Sequence, residues 1–126
     1  MEDKLEILRS YMDANVSPML LDFVESDFFS NAVIINKDSE LIGHYEGEEY
    51  HAPIWYEELI EKKSKILIID NIDKIPNEDQ IKFVEILKYR KVSTFELPEN
   101  VVIILIAKEI NKNTINKEIY SLVAHI

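Results

Sequence analysis

Ile66-Leu67-Ile68-Ile69-Asp70-Asn71-Ile72-Asp73-Lys74-Ile75-Pro76 is the stretch that decides the fold. Four consecutive apolar residues, three of them isoleucine, suit a strand buried on both faces, as in a parallel sheet. The carboxylate that follows falls at the C-terminal edge of such a sheet, where open α/β folds bind their ligands. A capping aspartate at the end of any buried strand leaves the same pattern, so the stretch defines a strand before it defines a chemistry. Two further runs, residues 32–35 and 101–107, are continuously apolar and rich in Val and Ile. Strands are therefore predicted at about residues 31–36, 65–70 and 101–107.

Segments of helical period fill the intervals. A first helix is expected over residues 3–13, with Leu5, Leu8 and Met12 on one face. A second is expected from Ser17 as N-cap and Pro18 at the first helical position, carrying Leu20, Leu21, Phe23, Val24 and Phe28. Residues 53–62 should form a third, turning Trp55 and Leu59 inward. The best-marked helix is expected over residues 78–89. Asn77 caps it, Gln80 takes the capping-box position, and Ile81, Val84 and Leu87 make the buried stripe. Residues 91–97 alternate as a hairpin arm does. Residues 114–123 predict a last helix that buries Ile115, Ile119 and Leu122, and the acidic stretch 38–49 reads as a loop. Strands alternating with helices predict an α/β domain in three layers, a short, mainly parallel sheet flanked by helices.

A length of 126 residues suits a single domain. No apolar run nears the roughly 18–20 residues of a membrane span. The opening MEDKLEIL has no apolar leader region, so a cytoplasmic location without a membrane partner is expected. The absence of cysteine removes disulfides, thiolate metal sites and thiol nucleophiles. Lysine and arginine number 14 against 24 aspartates and glutamates, a net charge of −10. That balance repels nucleic acid and anionic lipid. The two glycines, Gly43 and Gly47, exclude most. Loops that cradle phosphate need glycine where backbone N–H groups close on the anion, and neither glycine is followed by Lys-Ser or Lys-Thr. A working phosphate loop is ruled out.

Several segments, in order, resemble one family. Residues 66–76 resemble a Walker B strand with the "D-E-I-D/N-K/R-A-P" stretch that follows it. Asn36-Lys37-Asp38-Ser39-Glu40-Leu41-Ile42-Gly43 is similar to the segment after the second strand, which ends in "D-L-I-G". Residues 80–90, then Phe95-Glu96-Leu97-Pro98-Glu99-Asn100, resemble the helix, hairpin and "L-P-D-G" turn before the sensor-1 strand. Ser121-Leu122-Val123-Ala124-His125-Ile126 resembles "N-R-F-A-H-I". Residues 17–126 thus resemble the core of AAA+ ATPases of the MoxR-like branch, with residues 1–16 as an added N-terminal helix. The resemblance implies a truncated P-loop-NTPase-like core with the Walker B strand between the second and sensor-1 strands. It implies ATP and Mg²⁺ as the family's ligands, and it ends where the family's helical lid would start, so no lid is expected.

The departures decide the function. The Walker A lysine and threonine fall at Asn15-Val16-Ser17-Pro18-Met19, which has neither glycine nor lysine. No apolar strand is read before that point, so the strand leading into the phosphate loop is expected to be missing. Asp70 keeps the Mg²⁺-ligand position, but Asn71 stands where the family has the glutamate that activates water. An amide cannot accept that proton, and general-base help of about 10²–10⁴-fold is lost. The sensor-1 asparagine falls near Lys108, and the arginine of "N-R-F" is Leu122. ATPase activity is not expected. Asp70, Asn71, Asp73 and Lys108 form what is left of a nucleotide or Mg²⁺ site; the plainer reading is an Asp–Lys ion pair with a capping aspartate. A phospho-acceptor receiver also joins a strand-end Asp to a strand-end Lys, but residues 32–36 lack the acidic pair it needs.

His44-Tyr45-Glu46-Gly47-Glu48-Glu49-Tyr50-His51 holds two histidines and three carboxylates, without helical i, i+4 spacing. A solvated loop is expected there, and no metal. His125 shows no partner, and Ser17 and Ser39 belong to no triad pattern.

With the phosphate-loop strand missing, residues 101–107 become an uncharged apolar edge strand, an aggregation hazard unless covered. The N-terminal helix, the hairpin arm or another chain is available as cover. A helix cannot satisfy a row of strand N–H and C=O groups. Pairing between chains is therefore expected, with Val101, Ile103 and Leu105 at the interface and a homodimer or other oligomer as the result. The function expected is that of a catalytically inactive AAA+-like domain acting as a protein-interaction or assembly module. The alternative is a sensor that binds nucleotide or Mg²⁺ without hydrolysis.

Overall fold

Five parallel strands form the centre of the computed structural model, which describes residues 2–23 and 29–126. In chain order the elements are α1 (Glu2–Asp13), β1 (Met19–Leu21), β2 (Val33–Ile35), the hairpin β3 (His44–Glu46) and β4 (Glu49–His51), α2 (Ile54–Glu61) and β5 (Ile66–Ile69). Two 3-10 segments, Ile72–Lys74 and Asn77–Phe83, lead into α3 (Val84–Tyr89). The hairpin β6 (Lys91–Val92) and β7 (Phe95–Glu96), β8 (Val102–Ile106), α4 (Lys117–Leu122) and β9 (Ala124–His125) follow. The sheet runs β2-β5-β8-β1-β9, every pair parallel.

Strand alternation divides the core in two. Leu20, Leu67, Ile69, Ile103 and Leu105 point to one face and pack with Trp55 and Leu59 of α2, Phe83, Ile86 and Ile119. Met19, Leu21, Ile66, Ile68, Val102, Ile104 and Ile106 point to the other and meet Leu8 of α1 and Phe29. Both faces are covered, which is why the strands read as unbroken apolar runs. The three strands, α1, α2 and the 91–97 hairpin fall where the sequence predicts them.

The region after α1 corrects the sequence reading. Residues 19–21 are a strand, not a helix led by Ser17 and Pro18. Met19, Leu20 and Leu21 are each fully buried, with β8 on one side and β9 on the other. Leucine and methionine favour helix locally, but pairing on two edges and burial on two faces outweigh that preference. Ser17 does not cap; its Oγ accepts a hydrogen bond from the Ile103 N–H at 2.9 Å. Val24 and Phe28 of the expected helix lie outside the described residues.

The position of β1 overturns the edge-strand expectation. The 101–107 run is not an edge: β8 lies between β5 and β1. Met19, Leu20 and Leu21 pair with Ile104, Leu105 and Ile106, and the Ala107 N–H donates to the Leu21 carbonyl at 3.0 Å. Val101, Ile103 and Leu105 are at most 1% exposed. They belong to the chain's own core and present no surface to a partner. The edges of the sheet are β2 and β9.

Residues 77–89 also differ. A 3-10 segment precedes α3, and its three-residue turn moves the buried face. Gln80, Phe83 and Ile86 point inward at that spacing, while Ile81 is 55% exposed. Gln80 therefore forms no capping box. Its Nε2 donates to the carbonyls of Ile72, Ile75 and Thr114 at 3.0, 2.9 and 2.8 Å, and its Oε1 accepts from the Asn116 N–H at 2.7 Å. One fully buried amide holds the segment after β5 against the approach to α4. That last helix starts later than predicted, at Lys117, because the Asn116 side chain caps it by accepting from the Glu118 N–H.

Residues 44–51 form a hairpin rather than an open loop. Gly47, with φ +66°, opens its two-residue turn, the conformation glycine supplies at that place. Gly43 is required by crowding: a Cβ there would lie 2.5 Å from the His51 carbonyl oxygen and 2.6 Å from the Tyr50 ring. Among the described residues, no helix is long and apolar enough to cross a membrane.

Candidate functional site

The sequence places its chemistry at the C-terminal edge of the sheet, and the structure divides that set in two. Asp70 follows β5, its N–H donating to the Ile35 carbonyl at 2.9 Å. Its Oδ1 accepts from the Asn71 N–H at 2.9 Å. Asn71 has φ 53°, a left-handed conformation that asparagine tolerates better than most residues. Asp70 and Asn71 border a depression of about 250 Å³ with Asn36, Lys37, Asp38 and Lys74. That volume is below the roughly 300–1,000 Å³ of ordinary small-molecule sites.

Asp73 and Lys108 meet separately. Asp73 Oδ2 accepts from the backbone N–H groups of Lys108 and Glu109 at 3.2 and 3.1 Å. The carboxylate caps the turn after β8, and its Oδ1 is buried without a hydrogen-bond partner. Among the described residues, neither Asp70 nor Asp73 forms an ion pair with the Lys108 ammonium. Of the plainer reading, the cap is present and the ion pair is not.

The end of β1 is the other part of this edge. Since residues 19–21 are the strand, the segment leaving it is Asp22-Phe23-Val24-Glu25-Ser26-Asp27-Phe28, and not residues 15–19. It contains three carboxylates, no glycine and no lysine. Asp22 is exposed, and both its oxygens accept from Lys4 Nζ of α1 at 3.0 Å.

His44 and His51 face each other across the β3–β4 hairpin, with ring centroids 5.8 Å apart. Glu40 and Glu46 lie 3.7 and 3.4 Å from His44, and Glu46, Glu49 and Glu57 lie 3.4–3.8 Å from His51. Among the described residues, no three such groups are arranged to hold a metal ion. His125, without a visible partner in the sequence, contacts the Tyr120 carbonyl at 3.2 Å and packs on the Tyr120 ring.

Sequence reasoning missed an aromatic surface between the two hairpins. Tyr50 Oη accepts from the Gly43 N–H at 3.1 Å and shares a 2.8 Å hydrogen bond with Ser93 Oγ, joining the β3–β4 hairpin to the β6–β7 turn. Tyr56 on α2 donates to the Glu96 carbonyl at 2.6 Å. Burial first, then the Glu96 carboxylate, raises the Tyr56 hydroxyl above its ordinary pKa. Tyr45 and Tyr50 flanking Gly47 are the signal that could have found the hairpin. No family model matches this chain, and no curated protein is significantly similar to it.

Proposed function

We propose that this chain is an AAA+-like core that no longer hydrolyses nucleotide and acts as a protein-interaction or assembly module. The observation that carries the reading is the segment after β1. In a phosphate-binding core that position needs glycine amides and a lysine around the β- and γ-phosphates. Here the sequence of residues 22–28 contains three carboxylates, no glycine and no lysine, and Asp22 is already paired with Lys4 of α1, so the residue types that hold phosphates are missing from it. The strand order supports the scaffold part: the Asp70 strand lies between β2 and β8, as the resemblance implies, and β1, expected to be missing, lies beyond β8. Asn71 in place of a general base supports the absence of hydrolysis. Self-association through residues 101–107 is no part of the proposal, since that strand is interior.

Isothermal titration with ATP and Mg²⁺ tests it. No saturable heat is expected. Saturable binding tighter than about 100 µM, or about −5.5 kcal/mol, would overturn the reading and favour a sensor built around Asp70, Lys37 and Lys74.

A further inference from the structure

Tyr45, Tyr50, Phe95 and Tyr56 form a ladder of rings with successive centroids 5.0, 5.7 and 5.6 Å apart. It runs from the β3–β4 hairpin across β7 to α2. Its last three rings floor a groove of about 370 Å³, open to solvent, with Tyr50 38% and Ile60 45% exposed. Glu57 and Glu61, one helical turn apart on α2, line the same groove and are exposed. Its lining contains no lysine or arginine. His51, at the hairpin side, has Glu46, Glu49 and Glu57 within 3.8 Å, so that end is acidic too.

An aromatic floor beside a carboxylate wall is selective. An anionic segment is repelled, which disfavours nucleic acid and a second copy of a chain of net charge −10. A neutral apolar segment would cover the rings but leave the carboxylates without partners. A long cationic side chain satisfies both: its methylene stem lies on the rings while its charged end reaches the carboxylates.

We propose that this groove docks a basic, aliphatic segment of a partner protein, with arginine or lysine stems over Tyr50, Tyr56 and Phe95 and the charged ends at Glu57 and Glu61. The proposal rests on the protein-interaction reading above and gives it a surface and a partner charge. The test is an NMR titration of the full chain with two short, acetylated and amidated peptides. One alternates leucine with arginine; the other alternates leucine with glutamate. The arginine peptide should saturably shift the amides of Tyr50, Tyr56 and Phe95, more weakly as salt rises from about 0.05 to about 0.5 M. The glutamate peptide should not. The double variant Glu57→Lys with Glu61→Lys, both on an exposed helix wall, should weaken the arginine peptide about tenfold or more and admit the glutamate peptide. Equal responses to the two peptides, shifts centred away from the groove, or a charge reversal without effect would overturn the proposal. Its failure is separable from failure of the parent reading, because ATP binding would shift Leu21 and Asp70 instead.

Discussion

Replacing Gln80 by methionine keeps roughly the shape of the side chain and removes all its hydrogen bonds. In the native chain two N–H hydrogens serve three carbonyls and one oxygen serves the Asn116 N–H, at 2.7–3.0 Å. That amounts to three donated hydrogens, one of them shared between two carbonyls and each counted as one full bond, in a fully buried place. At about 1–1.5 kcal/mol for each full bond, with the stranded partners desolvated, the loss is about 3–4 kcal/mol. Against a typical total of about 5–15 kcal/mol this is a large share. Urea unfolding followed by the fluorescence of Trp55, the chain's one tryptophan, should show the midpoint lowered by about 1.5–2 M at a slope of about 2 kcal/mol/M. Gln80→Glu separates hydrogen bonding from packing. Ionised, it faces three carbonyls without a donor, so its folded-state pKa is raised above the unfolded value. Stability is then lost as pH rises through the folded pKa and recovered on acidification. A Gln80→Met midpoint within about 0.3 M of the parent, or a Gln80→Glu variant indifferent to pH, would refute the reasoning.

Leu20→Ala should cost about 2–5 kcal/mol in the same assay, because Leu20 is fully buried in a strand paired on both sides; a loss under about 1 kcal/mol would contradict the interior position of β1. Tyr56 gives a pH dependence whose sign is set by its raised pKa. The neutral hydroxyl's contribution is complete below the ordinary tyrosine pKa of about 10 and lost as pH rises through the higher folded value. The urea midpoint should therefore fall in that alkaline range, and Tyr56→Phe should blunt the fall; an identical profile for the variant would remove Tyr56 as its cause.

Legibility in the sequence followed the length and composition of each run. Residues 66–69 and 102–106 are continuous and β-branched, and no competing period runs through them. Met19-Leu20-Leu21 is short, has no β-branched residue and follows Ser-Pro, so local chemistry points to a helix start, and only the distant β8 and β9 make it a strand. Without β1, residues 101–107 have the pattern of an edge, though β8 lies between β5 and β1. A 3.6-residue period misplaces Gln80, because the chain takes a 3-10 turn there. The β3–β4 hairpin was hidden by charge, since its strands have no buried apolar face. For the site, Asp70 at the sheet edge was legible from its strand. The separation of Asp73 and Lys108 from it was not, because it depends on how two turns meet.

The wait imposed on β1 has a consequence for biosynthesis. Met19 is made long before its sheet neighbours, Ile104 and Ala124. No strand nearer in the chain pairs with it, so closure of the sheet depends on its most distant contacts, the slow kind to form. On the ribosome, the apolar residues 19–21 stay without sheet partners until residues 104–106 have emerged. A nascent chain stalled before residue 102 would display them to chaperones as a sticky tag.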